Sequence, residues 1–128
     1  MCRFEGKRIL ITGGTSGMGL AGAQRIVREG GHVAITGLNE ERLELARSLL
    51  PDTSLILKSD AASEADITAL QTVISGWGSL DGLWLNAGFA EVGSVESVTA
   101  DAFNRIMNAN VRGPMLQLAA LSDLLNLN

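Results

Sequence analysis

The chain has 128 residues, of which 46% are apolar and 19% charged, which suits one compact domain over residues 1–128 better than two. Its net charge is −4 and its ten basic residues are scattered, so nothing favours a nucleic-acid partner. The single cysteine, Cys2, cannot form an internal disulfide. The apolar run after the charged start ends at Thr12, too short for a signal peptide or for a membrane span of about 20 residues. We therefore expect a soluble, cytoplasmic protein that does not contact membranes.

Short apolar runs and helical patterns alternate from the start of the chain. A buried strand is predicted at residues 8–12, and a helix follows at 18–29, where Gly30 and Gly31 stop it. The next strand is predicted at 32–37. Its helix, at 39–51, begins on the capping residue Asn39 and ends before a proline.

The same cycle continues to the end. A third strand is predicted at residues 54–60, a helix capped by Ser63 at 63–78, and a fourth strand within 80–88. Thr99 is placed to cap a long helix that runs to residue 125, and Gly113-Pro114 should bend it. Strands that alternate with helices of this length predict an α/β fold, a doubly wound parallel sheet with helices on both faces.

Glycines fill the first turn between strand and helix. Gly13, Gly17 and Gly19 have the spacing G-x-x-x-G-x-G, which differs from the commoner G-x-G-x-x-G. A helix N-terminus at the carboxyl end of a strand favours an anion, and glycines let the backbone approach it. A plain tight turn is the alternative.

Four motifs in chain order carry a resemblance to a known family. "TGGTSGMG" at residues 12–19 resembles the TGxxxGxG cofactor loop of the short-chain dehydrogenase/reductase family. Asp60 matches the family's acidic residue that contacts the adenine ring, and "NAG" at 86–88 matches its NAG motif. Asn110, in "NANVRG", matches the asparagine of its catalytic tetrad. The resemblance covers essentially the whole chain.

The resemblance implies a Rossmann-like sheet, truncated to about four strands in the order 3-2-1-4, that forms the family's N-terminal cofactor-binding half. It implies that Gly13 makes the turn, that Gly17 lets the backbone approach the pyrophosphate, and that Gly19 lets helix and strand pack closely. The cofactor-binding residues that it implies are Gly13, Thr15, Ser16, Gly17, Met18, Gly19, Leu38, Asn39, Arg42, Asp60, Ala61, Asn86, Ala87 and Gly88.

Each polar residue in these motifs also has a structural interpretation. Asp60 could cap the next turn, and Asn86 could satisfy backbone groups beside the first strand while also contacting a cofactor. Asn110 could be a surface residue or a local backbone partner. His32 precedes the second strand, at the end away from the expected site, and is read as structural. No Cys/His cluster suggests a metal.

The form of the cofactor depends on the end of the second strand. Residues 36–38 read "TGL", so the carboxylate with which NAD binders hold the ribose 2′-hydroxyl is absent. Family members that resemble "GGTSGxG…ITGRN" carry, where this chain has Leu38, an arginine that binds the 2′-phosphate of NADP. Arg42 could replace it, or could instead pair with a neighbouring Glu. The sequence favours NADP(H) over NAD(H).

The family's remaining catalytic groups are not found in these 128 residues. Its mechanism uses a Ser, a Tyr and a Lys from Y-x-x-x-K, but the sequence holds no tyrosine, and Lys7 and Lys58 belong to no such motif. Only Asn110 of the tetrad is present. We therefore expect hydride transfer between NADP(H) and a carbonyl or alcohol from the complete form, and no catalysis by the usual mechanism from this chain alone.

Two surfaces predict association into a homodimer or with another protein. The fourth strand would be an exposed edge, and the last helix would carry an apolar face made of Leu116, Ala119, Ala120, Leu124 and Leu127. The alternative function is therefore a catalytically silent nucleotide-binding or interaction protein. Catalysis of another kind is a third possibility, although no residue is identified as its base.

Overall fold

The computed structural model describes residues 2–126, which fold around one parallel sheet. Its strands are β1 (Arg8–Thr12), β2 (His32–Gly37), β3 (Leu55–Lys58) and β4 (Gly82–Leu85). They lie in the order β3-β2-β1-β4, with Ile9 between Val33 of β2 and Gly82 of β4. This confirms the predicted Rossmann-like sheet and its strand order. The third strand is shorter than the predicted 54–60.

The helices are α1 (Gly17–Arg28), α2 (Glu40–Leu49), α3 (Glu64–Trp77), α4 (Ala100–Met107) and α5 (Gly113–Leu121). The predicted caps are confirmed, since Asn39 and Ser63 accept hydrogen bonds from the N–H groups of Arg42 and Asp66. The predicted bounds of α2, 39–51, are too wide because Leu50, before the proline, is extended. Within residues 2–126, no helix combines the length and apolar character that crossing a membrane requires.

The core has two layers because successive strand residues face opposite sides of the sheet. Ile11 and Ile35 pack on one side with Ala23 of α1 and Ala46 of α2. Leu10 and Ala34 pack on the other with Leu70 and Ile74 of α3 and Leu121 of α5. Burying each large aliphatic side chain stabilises the fold by about 1.5–3 kcal/mol. The sheet is thus fixed on both faces, and its carboxyl ends are held in register.

The predicted long last helix is divided into two. Thr99 caps α4 as predicted, but residues Asn108–Arg112 form a wide π-helical turn, here called the π segment, before α5 begins. The distortion of the helix therefore lies a few residues before Gly113-Pro114, where the bend was predicted. Pro114 has no N–H for the carbonyl four residues earlier, that of Asn110, and its ring crowds that carbonyl. The distortion consequently precedes the proline.

The predicted apolar face of the last helix is wrong at Leu124, while Ala119 is exposed and Leu116 and Ala120 are half-buried. Gln117 and Leu121 form the buried face of α5, and Leu124 lies in a 3₁₀ turn and packs on the second core layer. Leu127 lies outside the described residues. The apolar side chains that are exposed instead form what we call the outer row: Phe103, Met107, Val111, Met115 and Leu118.

The free edge of β4 is partly covered. The N–H of Leu80 donates to the carbonyl of Leu124 at 2.7 Å, and the N–H of Asn126 donates to the carbonyl of Leu80 at 2.7 Å. Residues 124–126 therefore run parallel to the chain just before β4. No strand in residues 2–126 covers the rest of that edge.

The amino-terminal segment, residues 2–7, lies at the amino ends of the strands. The N–H of Phe4 donates to the carbonyl of Glu29 at 3.0 Å, and the N–H of Gly6 donates to that of Gly30 at 3.2 Å. The guanidinium of Arg3 donates to the Glu29 carboxylate at 2.7 Å. Because of this hydrogen bond and ion pair, the pKa of Glu29 lies below its ordinary value. Cys2 is exposed in this segment.

Candidate functional site

A groove of about 380 Å³ lies at the carboxyl ends of the strands, where open α/β sheets bind their ligands. The predicted cofactor residues line it, except for Gly17, Met18 and Gly19. Five further residues line the groove that were not predicted from the sequence, namely Thr36, Gly37, Ser59, Phe89 and Ala109. Gly37, Ser59, Phe89 and Ala109 are each adjacent in sequence to a predicted site residue, and Thr36 is the next-to-last residue of β2. These positions are the signal that could have found them.

The glycine loop forms one end of the groove. Gly13 has φ +65°, and a Cβ there would lie 2.9 Å from the Cα of Ala87. A side chain at Gly19 would overlap the carbonyl oxygen of Gly13. Both positions therefore require glycine, for the turn and for close packing.

The N-terminus of α1 faces this loop without a partner of its own. Ser16, the N-cap residue, makes no side-chain capping bond, and the first turn of α1 holds no acid. Gly17 has φ +54° and open space around its Cβ position, while the Met18 side chain is 78% exposed. The free N–H groups and the helix dipole at this point suit an anion.

The loop after β4 is fastened to the glycine loop. The Nδ2 of Asn86 donates to the carbonyl of Gly13 at 3.1 Å, and the N–H of Ala87 donates to the Oγ1 of Thr12 at 3.0 Å. Asn86 thus has the structural role considered for it. The two loops therefore hold each other in place where they meet at the groove.

Asn110 lies in the π segment and outside the lining of the groove. Its Nδ2 donates to the carbonyl of Phe89 at 2.6 Å, and its Oδ1 accepts from the Phe89 N–H at 2.8 Å. A Cβ at Gly88 would lie 3.2 Å from the same Oδ1. The side-chain amide of Asn110 therefore binds the backbone, which is one of the roles considered for it from the sequence. It holds Phe89, the residue that follows the NAG motif.

Asp60 shapes the loop after β3. Its Oδ1 accepts from the N–H of Ala62 at 2.8 Å, and its own N–H donates to the Oδ2 of Asp66 at 2.8 Å. The carboxylate thus caps the turn and still lines the groove. Ser59, the preceding residue, is 8% exposed, and its Oγ has no hydrogen-bond partner in the described part of the chain.

The end of β2 is open to the groove and carries no acid. A Cβ at Gly37 would lie 2.5 Å from the Oγ1 of Thr15, so an acidic side chain has no room there. The exposed side chain of Leu38 follows. The groove at this point is therefore bounded by small and neutral groups.

Arg42 lines the groove beside the end of β2 and carries a positive charge. The ion pair with a neighbouring Glu that was considered for Arg42 is not observed. Glu40 pairs with Lys58 at 2.8 Å, which lowers the pKa of Glu40 and raises that of Lys58. Glu44 pairs with Arg47. Over residues 2–126, Arg42 takes part in no ion pair.

Two other residue types were considered for chemistry. His32 is the first residue of β2 and lies opposite Arg8 of β1 in the strand register, at the end of the sheet away from the groove. Among the described residues, no group of three or more His, Cys, Asp or Glu side chains is placed to hold a metal ion.

Comparisons with known proteins agree with this geometry. The profile of the family described as short chain dehydrogenase matches residues 7–126. A 2-(S)-hydroxypropyl-CoM dehydrogenase of Xanthobacter autotrophicus is 41% identical, over 96% of this chain and 50% of its own length. An NADP-dependent (R)-specific alcohol dehydrogenase of Lentilactobacillus kefiri is 36% identical, over 87% of this chain and 45% of its own length.

Solved structures of this kind have the same fold. The crystal structure of NAD⁺-bound xylitol dehydrogenase superposes with a TM-score of 0.86 and 31% identity, over 95% of this chain and 49% of that one. The chain therefore spans about half the length of the curated relatives that it matches.

Proposed function

Because the chain belongs to the short-chain dehydrogenase family, which binds NAD(P), we propose that the groove at the carboxyl ends of the strands is its dinucleotide site. The observation that carries the proposal is the uncapped N-terminus of α1, which faces the tight turn at Gly13. Its N–H groups would hold the pyrophosphate. Asp60 and Ala61 would meet the adenine, and the loop that holds Asn86, Ala87 and Gly88 would meet the nicotinamide half.

Titration with NADPH, followed by its fluorescence, tests this assignment. Gly17→Val places a side chain in the open space where the phosphates would lie, and should abolish binding. Gly6→Val is the matched control, because Gly6 also has a positive φ, +69°, and open space around its Cβ position, but lies at the amino ends of the strands. Equal affinity in the two variants would contradict the placement of the phosphate.

The preferred form of the cofactor in this proposal is NADP(H). Support comes from Arg42, a groove-lining cation with no carboxylate partner among the described residues, and from the lack of space for an acid at Gly37. A guanidinium binds a phosphate through charge-assisted hydrogen bonds worth about 1.5–3 kcal/mol. NAD(H) is the alternative, supported by the structural relative xylitol dehydrogenase, which is NAD⁺-bound.

Arg42→Ala should weaken NADPH binding by about tenfold or more, and should leave the affinity for NADH within about twofold because NADH has no 2′-phosphate. Arg47→Ala is the control: it removes an arginine of the same helix that pairs with Glu44. Tighter binding of NADH than of NADPH by the wild-type chain would refute the preference.

For a protein of the relatives' full length, we propose hydride transfer between NADP(H) and a carbonyl or alcohol. The bound nicotinamide supplies the hydride, and the residues described here bind and orient it. The 128 residues contain no tyrosine to serve as the acid or base, and the Asn110 amide is held by Phe89. The alternative is a nucleotide-binding or interaction protein without redox activity.

The coding sequence beyond codon 128 separates these two functions. A serine and a Y-x-x-x-K motif downstream would identify the chain as part of an oxidoreductase. A stop codon there, together with NADPH binding and no oxidation of NADPH by a panel of aldehydes and ketones, would favour the binding function.

We also propose that two copies associate through the outer row. Its spacing is nearly symmetric about Val111, so that two antiparallel copies would place Phe103 of one near Leu118 of the other. Exposed apolar rows of this length are typical of interaction surfaces. Val111→Arg should shift sedimentation to the monomer, whereas Val73→Arg, at a site of similar exposure (42% against 44%), should not. A monomeric wild-type chain would contradict the proposal.

A further inference from the structure

The π segment touches loops on two sides of the groove. Asn110, at its centre, binds both main-chain groups of Phe89, beyond β4. Arg112, the last residue of the π segment, and Gly113, the first residue of α5, contact the loop after β3. Neither of them lines the groove, and the sequence assigned no role to Arg112 and only a part in the helix bend to Gly113.

Arg112 and Gly113 contact the main chain of the β3 loop, and Arg112 also contacts the first side chain of α3. The Nη1 of Arg112 donates to the carbonyl of Ala62 at 3.4 Å, and its Nη2 lies 3.3 Å from the Oε1 of Glu64. A side chain at Gly113 would overlap the carbonyl oxygen of Ala61. The helix therefore lies directly against this loop, with no room for a larger residue.

The same loop presents the proposed adenine contacts. Asp60 is held from its own side by the N–H of Ala62 and by Asp66. The bond from Ala62 fixes the turn internally, and the bond to Asp66 ties it to α3. The N–H of Ser59 donates to the carbonyl of Gly37 at 3.1 Å and holds the start of the loop to β2. Arg112 and Gly113 add a further constraint from the start of α5, a helix anchored in the core through Leu121.

We propose that Arg112 and Gly113 are positioning residues, which hold the Asp60–Ala62 loop where it meets the adenine half of a bound dinucleotide. The inference rests on the proposed function. The π segment would then hold the loop after β3 through Arg112 and the loop after β4 through Asn110, so that the two loops keep fixed positions relative to each other. The ligand half affected is the adenosine half, so the effect should be the same for ADP as for NADPH.

Calorimetric titration with ADP and with NADPH tests this, using Arg112→Gln in the full chain. We expect both affinities to fall by the same factor, about two- to fivefold, the size of an exposed ion pair with a backbone contact. Arg105→Gln is the matched control, because Arg105 is a neighbouring exposed arginine that pairs with Glu91 at 2.8 Å. Arg112→Lys keeps the charge and should restore part of the affinity.

Amide hydrogen exchange provides a readout that needs no ligand. In Arg112→Gln, exchange at Ala61 and Ala62 should become faster, while exchange at Leu10 and Ile35 in the core strands should not change. Gly113→Ala should displace the carbonyl of Ala61 and with it the loop. ADP binding should then weaken by about tenfold, which corresponds to the loss of one hydrogen bond between the loop and the ligand. Gly76→Ala, a helical glycine with open space, is its control.

Unchanged ADP affinity and unchanged exchange at Ala61 and Ala62 in Arg112→Gln would overturn the inference, whether or not Gly113→Ala folds. Equal losses in Arg112→Gln and Arg105→Gln would also overturn it, since they would indicate a general charge effect. If the wild-type chain bound neither ADP nor NADPH, the proposed function would fail, and the exchange data alone would decide whether these residues position the loop.

Discussion

The amide of Asn110 is bonded to both main-chain groups of Phe89, at 2.6 Å to its carbonyl and 2.8 Å to its N–H. Two residues that are 21 apart in sequence are thereby joined as if they were neighbours in a sheet. The loop that bears the NAG motif gains a fixed attachment to the last helical region.

Asn110→Ala should lower the free energy of unfolding by about 1–3 kcal/mol, because two hydrogen bonds of about 0.5–1.5 kcal/mol are lost. Urea denaturation measures the change. Asn104→Ala removes an exposed asparagine of α4 and should change stability by less than about 0.5 kcal/mol. If the two variants were equally stable, the Asn110 pair would contribute nothing to the fold.

Two glycines should respond in opposite directions to the same substitution. Gly76→Ala in α3 meets no atom within 4 Å, so it should stabilise the chain by up to about 1 kcal/mol. Gly19→Ala would overlap the carbonyl of Gly13 and should destabilise by about 1–3 kcal/mol. Thermal unfolding of the two variants compares them, and a stable Gly19→Ala chain would show that the loop and α1 are not closely packed.

Replacing the buried Gln117 with an apolar residue should stabilise the chain. It is 1% exposed, and neither its Nε2 nor its Oε1 has a hydrogen-bond partner in the described part of the chain. Gln117→Leu removes two unsatisfied groups from the layer that contains Leu121, and should raise the free energy of unfolding by about 1–3 kcal/mol. Gln71→Leu is the control, because Gln71 of α3 is only half-buried and its amide donates to the Oγ of Ser75. A less stable Gln117→Leu chain would indicate that the amide has partners in solution.

Acid should weaken the attachment of the amino-terminal segment. The Arg3 guanidinium lowers the pKa of Glu29, so the folded chain holds the ionised form more strongly than the unfolded chain does. The resulting stability is present above the ordinary glutamate pKa of about 4.3, and is lost as the pH falls through the lowered folded-state value.

Arg3→Gln should therefore reduce the loss of stability between about pH 5 and pH 3, as measured by urea denaturation at several pH values. Glu41→Gln, an exposed carboxylate with no ion pair among the described residues, is the control for charge. An identical pH dependence in wild-type and Arg3→Gln chains would mean that the pair does not form in solution.

The sequence was sufficient for features that depend on local patterns. The apolar runs predicted four strands, and the position of the glycines predicted the turn at Gly13. Side chains at Asn39, Ser63 and Thr99 predicted the starts of three helices, because capping depends on a residue and the next three. The groove also follows from strand order, since the carboxyl ends of parallel strands meet at one edge.

The remaining features depend on contacts between distant residues. Whether Arg42 pairs with Glu40 depended on Lys58, which is on another strand and takes that carboxylate. The register of the last helix depended on the π segment, which adds an extra residue to one turn and rotates the following side chains. No spacing rule within one element could have placed Leu124 in the core.

The attachment of residues 2–7 has a practical use. These residues lie at the amino ends of the strands, and the groove lies at the carboxyl ends, so the body of the sheet separates them. Cys2 is exposed there, and it is the single thiol in the sequence. A maleimide dye or a surface tether would therefore attach at one defined point, leaving the groove open for ligand measurements on immobilised protein.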